Sequence, residues 1–306
     1  MFLGKESQAQ SFRERFASLM QLKIDSGVTL TIDEPVIHPQ KPTRIILYAL
    51  PNGNTTAQTF GKKTGKEDDW HFDIQHIGAQ SAFIRQADPG TNYLVVYLEN
   101  ELKSWPTWRR KYAGSDALIA QMVELIYQTY RKYNPQVTLS GHSGGGSFIF
   151  GYINSQAQIP AYIERIGFLD ATYGYETDRH FQKLENWLQN KGKSLQVVAY
   201  NDSVVVYNGK PLVSPTGGTW YRSKLMAGDL QKKLHLKFRD LSDRLVWQNK
   251  KQNIDLTLIK NPDGRIFHTV LVEKNGFIHL AFNGTGFQDT NYGFWEDRVY
   301  GQYVLE

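Results

Sequence analysis

The segment 136–153, QVTLSGHSGGGSFIFGYI, leaves a chain few ways to fold. An apolar stretch at 137–139 runs into Gly141-His142-Ser143-Gly144-Gly145, and an apolar run of helical character follows at once. That order reads as a strand, a turn too tight for neighbouring side chains, and a helix. Glycine stands two positions before Ser143 and two after it, which relieves crowding in such a turn. The turn pushes the Ser143 hydroxyl out at the C-terminal edge of a sheet. The first N–H groups of the next helix then point at whatever lies beside that hydroxyl.

The rest of the chain supplies the sheet. Ser11-Phe12-Arg13-Glu14 reads as a capping box, with Phe12, Phe16 and Leu19 on one helix face. Residues 22–24 and 28–32 alternate apolar and polar around Asp25-Ser26-Gly27, an antiparallel hairpin. Then the rhythm changes to unbroken apolar runs at 45–50, 94–98, 137–139, 166–169, 195–200 and 254–259. Runs without alternation belong to strands covered on both faces. Helical patterns separate several of them. Ser115 can cap a helix carrying Leu118, Ile119, Met122, Leu125, Ile126 and Tyr133, which stops at Asn134-Pro135. The expectation is an α/β fold: a mostly parallel, eight-stranded, doubly wound sheet with helices on both faces. Neither an internal repeat nor a linker divides the chain, so one domain is expected over 1–306. Its long connections, 51–92 and 204–250, are expected over the C-terminal sheet edge, where they would shape a cleft.

Composition narrows the chemistry. Of 306 residues, 41% are hydrophobic and 21% charged, a globular balance. With no cysteine, disulfides, a thiol nucleophile and thiolate metal sites are excluded. The net charge of +5, from 35 basic and 30 acidic residues, is too slight to point to nucleic acid, and Arg109-Arg110-Lys111 is the only tight basic triplet in the first half. No apolar run is long enough to cross a bilayer. Met1-Phe2-Leu3-Gly4-Lys5 lacks the pattern of a secretory signal. A soluble protein is expected, cytoplasmic or exported with its signal removed.

G-x-S-x-G between a strand and a helix resembles the nucleophile elbow of the α/β-hydrolase superfamily, and the eight strands agree with that fold. The resemblance implies a serine hydrolase, without cofactor, acting on a small-molecule or acylated substrate. A carboxylic ester is the expected substrate. An amide is the alternative, as is a non-catalytic glycan- or peptide-binding protein on the same fold. In that family the turn after the first buried strand gives one oxyanion donor and the residue after the nucleophile gives the other. Here those are Asn52, since Pro51 has no N–H, and Gly144.

Serine, acid and histidine follow in that order along the chain in this family. His180 and His235 precede the last buried strand. His268 comes nine residues after it, past the turn Asn261-Pro262-Asp263-Gly264, whereas His279 falls inside a helix-like run. His268 is the expected base. Two aspartates compete as its partner. Asp202 follows the strand 195–200, where most members carry the acid, but sits in an Asn-Asp turn between extended runs. Asp170 directly ends the strand 166–169 and is preferred.

Other clusters carry weaker expectations. His71, Asp73 and His76 are metal-ligand types, but no helical register puts all three on one face, so no metal is expected. His76 stays a candidate substrate contact. Aromatic side chains near a serine nucleophile suit sugar rings, aryl groups or acyl chains. Trp105 and Trp108, after the strand 94–98, and Tyr173, after Asp170, are the expected ones.

Overall fold

The computed structural model describes residues 11–306. Its strands are β1 (Met20–Ile24), β2 (Val28–Asp33), β3 (Thr43–Ala49), β4 (Asn92–Asn100), β5 (Gln136–His142) and β6 (Ile163–Leu169), then β7 (Ser194–Tyr200), β8 (Val206–Tyr207), β9 (Lys210–Pro211), β10 (Lys237–Asp240), β11 (Arg244–Gln248) and β12 (Ile254–Ile259). Ten of them form one sheet in the order β1-β2-β4-β3-β5-β6-β7-β12-β11-β10, and β8 pairs with β9 alone. The six strands from β4 to β12 in that order run parallel. They are the six unbroken apolar runs. β1, β2, β10 and β11 add antiparallel pairs at the two sides.

Alternation within those runs explains why both faces are covered. In β3, Ile45, Leu47 and Ala49 enter one core while Ile46 and Tyr48 enter the other. On the first face pack the helices Trp105–Lys111, Ser115–Thr129, Gly146–Ser155, Thr177–Leu188 and Thr219–Gln231, through residues such as Trp108, Ile119, Phe148, Leu184 and Met226. Helices Thr56–Phe60, Ile77–Ala87, Val270–Glu273 and Gly276–Phe282 cover the second face through Phe60, Ile84, Leu271 and Phe277. The architecture is α/β with a mostly parallel central sheet, as the periodicity implied.

The strand count differs. Eight strands were expected and the sheet has ten, because β10 and β11 arise within 204–250 and extend the sheet sideways past β12. Every residue of β10 is exposed, and Arg239 and Asp240 charge it. An edge strand of that kind avoids pairing with other chains by being short and charged, so a search for buried apolar runs passes over it. Of the same connection, 206–211 forms the exposed β8–β9 hairpin and Thr219–Gln231 packs on the sheet. Among the described residues no helix is long and apolar enough to cross a membrane.

Buried titratable groups give the fold a pH signature. Burial pushes the His180 imidazole down to about 4 and that of His279 to about 3. As pH falls below ~6.5 the unfolded chain binds protons at these positions while the native state does not, so stability falls. Asp255, pushed up to about 6 by burial, acts the other way, binding its proton in the native state first. Unfolding free energy in urea should therefore drop between pH ~6.5 and ~4.5. His279→Gln should lessen that drop by ~1.4 kcal/mol per pH unit. An unchanged slope would mean that His279 is charged in the native state.

Candidate active site

The turn after β5 places the serine. Ser143 has φ 55°, in the left-handed region that a non-glycine residue seldom adopts. A 3-10 turn, Ser143–Gly145, leads straight into helix Gly146–Ser155. The flanking glycines are required by contact. A Cβ on Gly145 would stand 2.2 Å from the Ala49 carbonyl oxygen of β3, and one on Gly141 would stand 2.9 Å from Gly145 C. Gly146 is tighter still, with its Cβ position 1.7 Å from the Ala171 carbonyl oxygen. Ser143 remains partly exposed, and among the described residues its hydroxyl has no hydrogen-bond partner.

β6 ends at Leu169, and Asp170 follows with φ 45°, fully buried. Its Oδ2 accepts a hydrogen bond from His268 Nδ1, and its Oδ1 accepts one from Thr219 Oγ1. His268 lies in the loop after β12, its side chain 25% exposed, so one ring nitrogen is held by the carboxylate while the ring is open to solvent. The ring lies 4.5 Å, centroid to centroid, from that of His142, the residue before Ser143. His142 Nε2 donates to the His268 carbonyl at 2.9 Å. Because a carbonyl only accepts, this bond fixes the proton on Nε2. Burial, and His268 nearby, keep the His142 imidazole well below the usual range and hence neutral. His142 was absent from the sequence-derived candidates. No signal in the motif marks it, since the position between glycine and serine is free to vary.

The oxyanion candidates meet at the same point. Asn52 lies in the turn after β3, and a Cβ on Gly144 would fall 2.0 Å from Asn52 Oδ1. The Asn52 N–H has no acceptor among the described residues. Gly144 N–H is among the first of a helical run, the donors that a helix cannot satisfy internally.

The two competing aspartates lie together. Asp202, 1% exposed, accepts from Thr219 N–H at 2.7 Å, and its Oδ2 stands 3.3 Å from the Thr219 hydroxyl that bonds Asp170. It makes no bond to His268. His279 is elsewhere: its Nδ1 meets Tyr292 Oη at 3.1 Å and its ring stacks on Phe294.

Of the expected substrate contacts, only Tyr173 is at the site, exposed and edge-on to His268 at 6.4 Å. Trp105 and Trp108 are buried in the core and donate their indole N–H to the carbonyls of Leu98 and Ser26. Both tryptophans belong to the helix Trp105–Lys111, three positions apart and so on one face, and that face is the buried one. They present no face to a substrate. His76 is likewise fully buried, on the second face of the sheet, near Tyr300. Its Nε2 pairs with Asp73 at 2.6 Å, and the Arg298 guanidinium lies 2.7 Å from the same carboxylate. His71 stacks on Trp70 and pairs with Asp69.

The fold is similar to that of a thermostable esterase, at TM-score 0.55 and 10% identity, over 87% of this chain and 63% of that one. The chain thus spans less than two thirds of that esterase's length. Weaker likenesses are to an acetyl xylan esterase from Aspergillus awamori (TM-score 0.44, 11% identity, 80% of this chain and 93% of that one) and to Thermogutta terrifontis esterase 2 phosphorylated by paraoxon (TM-score 0.44, 10% identity, 92% and 99%). No protein-family model matches the chain, and no curated protein matches it in sequence. At such identities the likeness speaks for the fold alone.

Contacts at the turn make a direct prediction. Gly146→Ala must displace the Ala171 carbonyl beside Asp170 and should cost about 3 kcal/mol in urea unfolding. Gly228→Ala, inside helix Thr219–Gln231 with nothing within 4 Å of its Cβ position, should instead gain up to ~1 kcal/mol.

Proposed function

We propose that the chain is a serine hydrolase of the α/β-hydrolase superfamily that cleaves a carboxylic ester through an acyl-enzyme on Ser143. The observation that carries this reading is the bond from His268 Nδ1 to buried Asp170, formed beside the His142–Ser143 turn by residues 98 positions apart. A buried carboxylate bonded to one imidazole nitrogen leaves the other nitrogen as a base and favours the charged ring once it has taken a proton. The likeness to an esterase fold supports a hydrolase.

In this mechanism Ser143 Oγ attacks the carbonyl carbon while His268 Nε2 takes the hydroxyl proton. The backbone N–H groups of Asn52 and Gly144 bind the oxygen that becomes negative. The intermediate collapses, His268 returns the proton to the leaving alkoxide, and an alcohol departs. Water, deprotonated by the same nitrogen, then releases the acid and frees Ser143. The exposed Tyr173 ring stands edge-on to His268 and favours an apolar acyl or alkyl group over a charged one.

A fluorophosphonate probe should label the folded protein covalently, and Ser143→Ala should abolish labelling. Across a panel of chromogenic esters and amides, turnover should fall about 10⁶-fold in Ser143→Ala and about 10⁴-fold in Asp170→Asn. Turnover of the best ester should rise with pH as the base loses its proton. A profile that stays flat from about pH 5 to pH 8 would remove His268 from this role, and absence of labelling would remove the enzyme. Faster turnover of amides than of esters would make it an amidase.

A further inference from the structure

The carboxyl group after β7 is buried beside the Asp170–His268 pair, and this chemistry leaves it unused. Asp202 lies over the N-terminus of helix Thr219–Gln231, accepting from the N–H groups of Thr219 at 2.7 Å and Trp220 at 3.3 Å. Gly218 makes the room, since a Cβ there would stand 2.4 Å from both carboxylate oxygens. Thr172 holds the helix in place, its hydroxyl bonding the Thr219 carbonyl at 3.3 Å and the Ser223 hydroxyl at 2.8 Å. The result is a row of four side chains: Asp202, Thr219, Asp170 and His268.

The row is one proton short. A threonine hydroxyl carries a single proton and cannot serve both carboxylates, and the shorter of its two contacts, to Asp170 Oδ1, assigns it there. With Asp202 ionised, Thr219 Oγ1 and Asp202 Oδ2 would face each other at 3.3 Å with lone pairs on both sides. Two ionised carboxylates buried this close also repel, and one of them is driven to stay neutral. Asp170 is bonded by the imidazole N–H and must oppose its positive charge, so the negative charge belongs there. The Tyr173 and Tyr200 phenols are the other titratable groups near the pair, and among the described residues no lysine or arginine bonds either carboxylate.

We propose that Asp202 holds a proton and donates it to Thr219 Oγ1, so that the Thr219 proton is committed to Asp170 and Asp202 serves as a positioning residue for the Asp170–His268 pair. Its two backbone donors favour a charged Asp202, but burial and the Asp170 charge outweigh them and hold its carboxyl above the usual carboxylate range. The catalytic meaning of the proton rests on the hydrolase reading, whereas its presence does not.

Infrared spectroscopy of the ligand-free full chain tests the proton directly. At pH ~5.5 an ordinary aspartate is almost wholly ionised. Wild type should show the carbonyl stretch of a protonated buried carboxyl that Asp202→Asn lacks, and the wild-type band should fade as pH is raised. Asp255, pushed up to about 6, gives a second band that both proteins keep. Asparagine retains the acceptor for Thr219 N–H, the shorter of the two backbone bonds, and gives up the longer one from Trp220 N–H. Identical spectra would overturn the proposal. The positioning role is read from the pH profile of ester hydrolysis. A carboxylate that loses a donor holds an imidazolium more tightly, so Thr219→Val should move the acid limb up by about half a unit or more. Thr219→Ser should restore it, and an unmoved limb in Thr219→Val sinks the role. Failure of Ser143 to label would end the hydrolase reading and leave the infrared result to decide the proton by itself.

Discussion

Close backbone contact at one turn sets the geometry of everything around it. Ser143 sits in a conformation that costs about 1–3 kcal/mol for a residue with a side chain, and it persists only where its surroundings leave no alternative. Those surroundings are the carbonyls of Ala49 and Ala171, against which the glycines at the start of helix Gly146–Ser155 are pressed. The contacts tie the ends of β3, β5 and β6 to a single point. Parallel strands already bring their C-terminal ends to one edge. The glycine contacts then draw the Asn52 turn, Ser143 and Asp170 together more closely than topology alone requires.

How much of this was legible in the chain depends on the range of the signal. The six parallel strands were legible because each is covered on both faces, and burial of that kind writes itself as an unbroken apolar run. β10 and β11 were not, since an exposed, charged edge strand resembles a loop in composition. The indoles of Trp105 and Trp108 follow the same logic. Position after β4 suggested an open edge, but the helix they begin folds back and buries both. Aromatic content cannot distinguish a core from a cleft when the local turn decides it.

The site divides in a similar way. Residues at strand ends are readable, because strand ends are local. The pairing of Asp170 with His268, 98 positions away, follows from the resemblance and not from any local signal. Weighing Asp170 against Asp202 treats them as rivals for one place. The structure puts them on one threonine hydroxyl, through helix Thr219–Gln231, whose docking no sequence period reports. A carboxylate at the end of β7 needs no catalytic reason to be there, since an N-terminal helix cap is sufficient cause.

Some departures from local preference fall at this site. Ser143 and Asp170 both have positive φ, and His142 Nδ1 is buried without a partner. An unpaired buried acceptor costs about 1–3 kcal/mol, a cost that an apolar residue at position 142 would avoid. What the imidazole does provide is a donor at the reach needed to hold the His268 carbonyl. That bond fixes the loop after β12 to the very residue preceding the serine, so the imidazole and the hydroxyl move as parts of one unit. Of the residues with positive φ, Ser143 and Asp170 are the two at this site, so part of the chain's strain lies where one hydroxyl, one imidazole and one carboxylate have to meet.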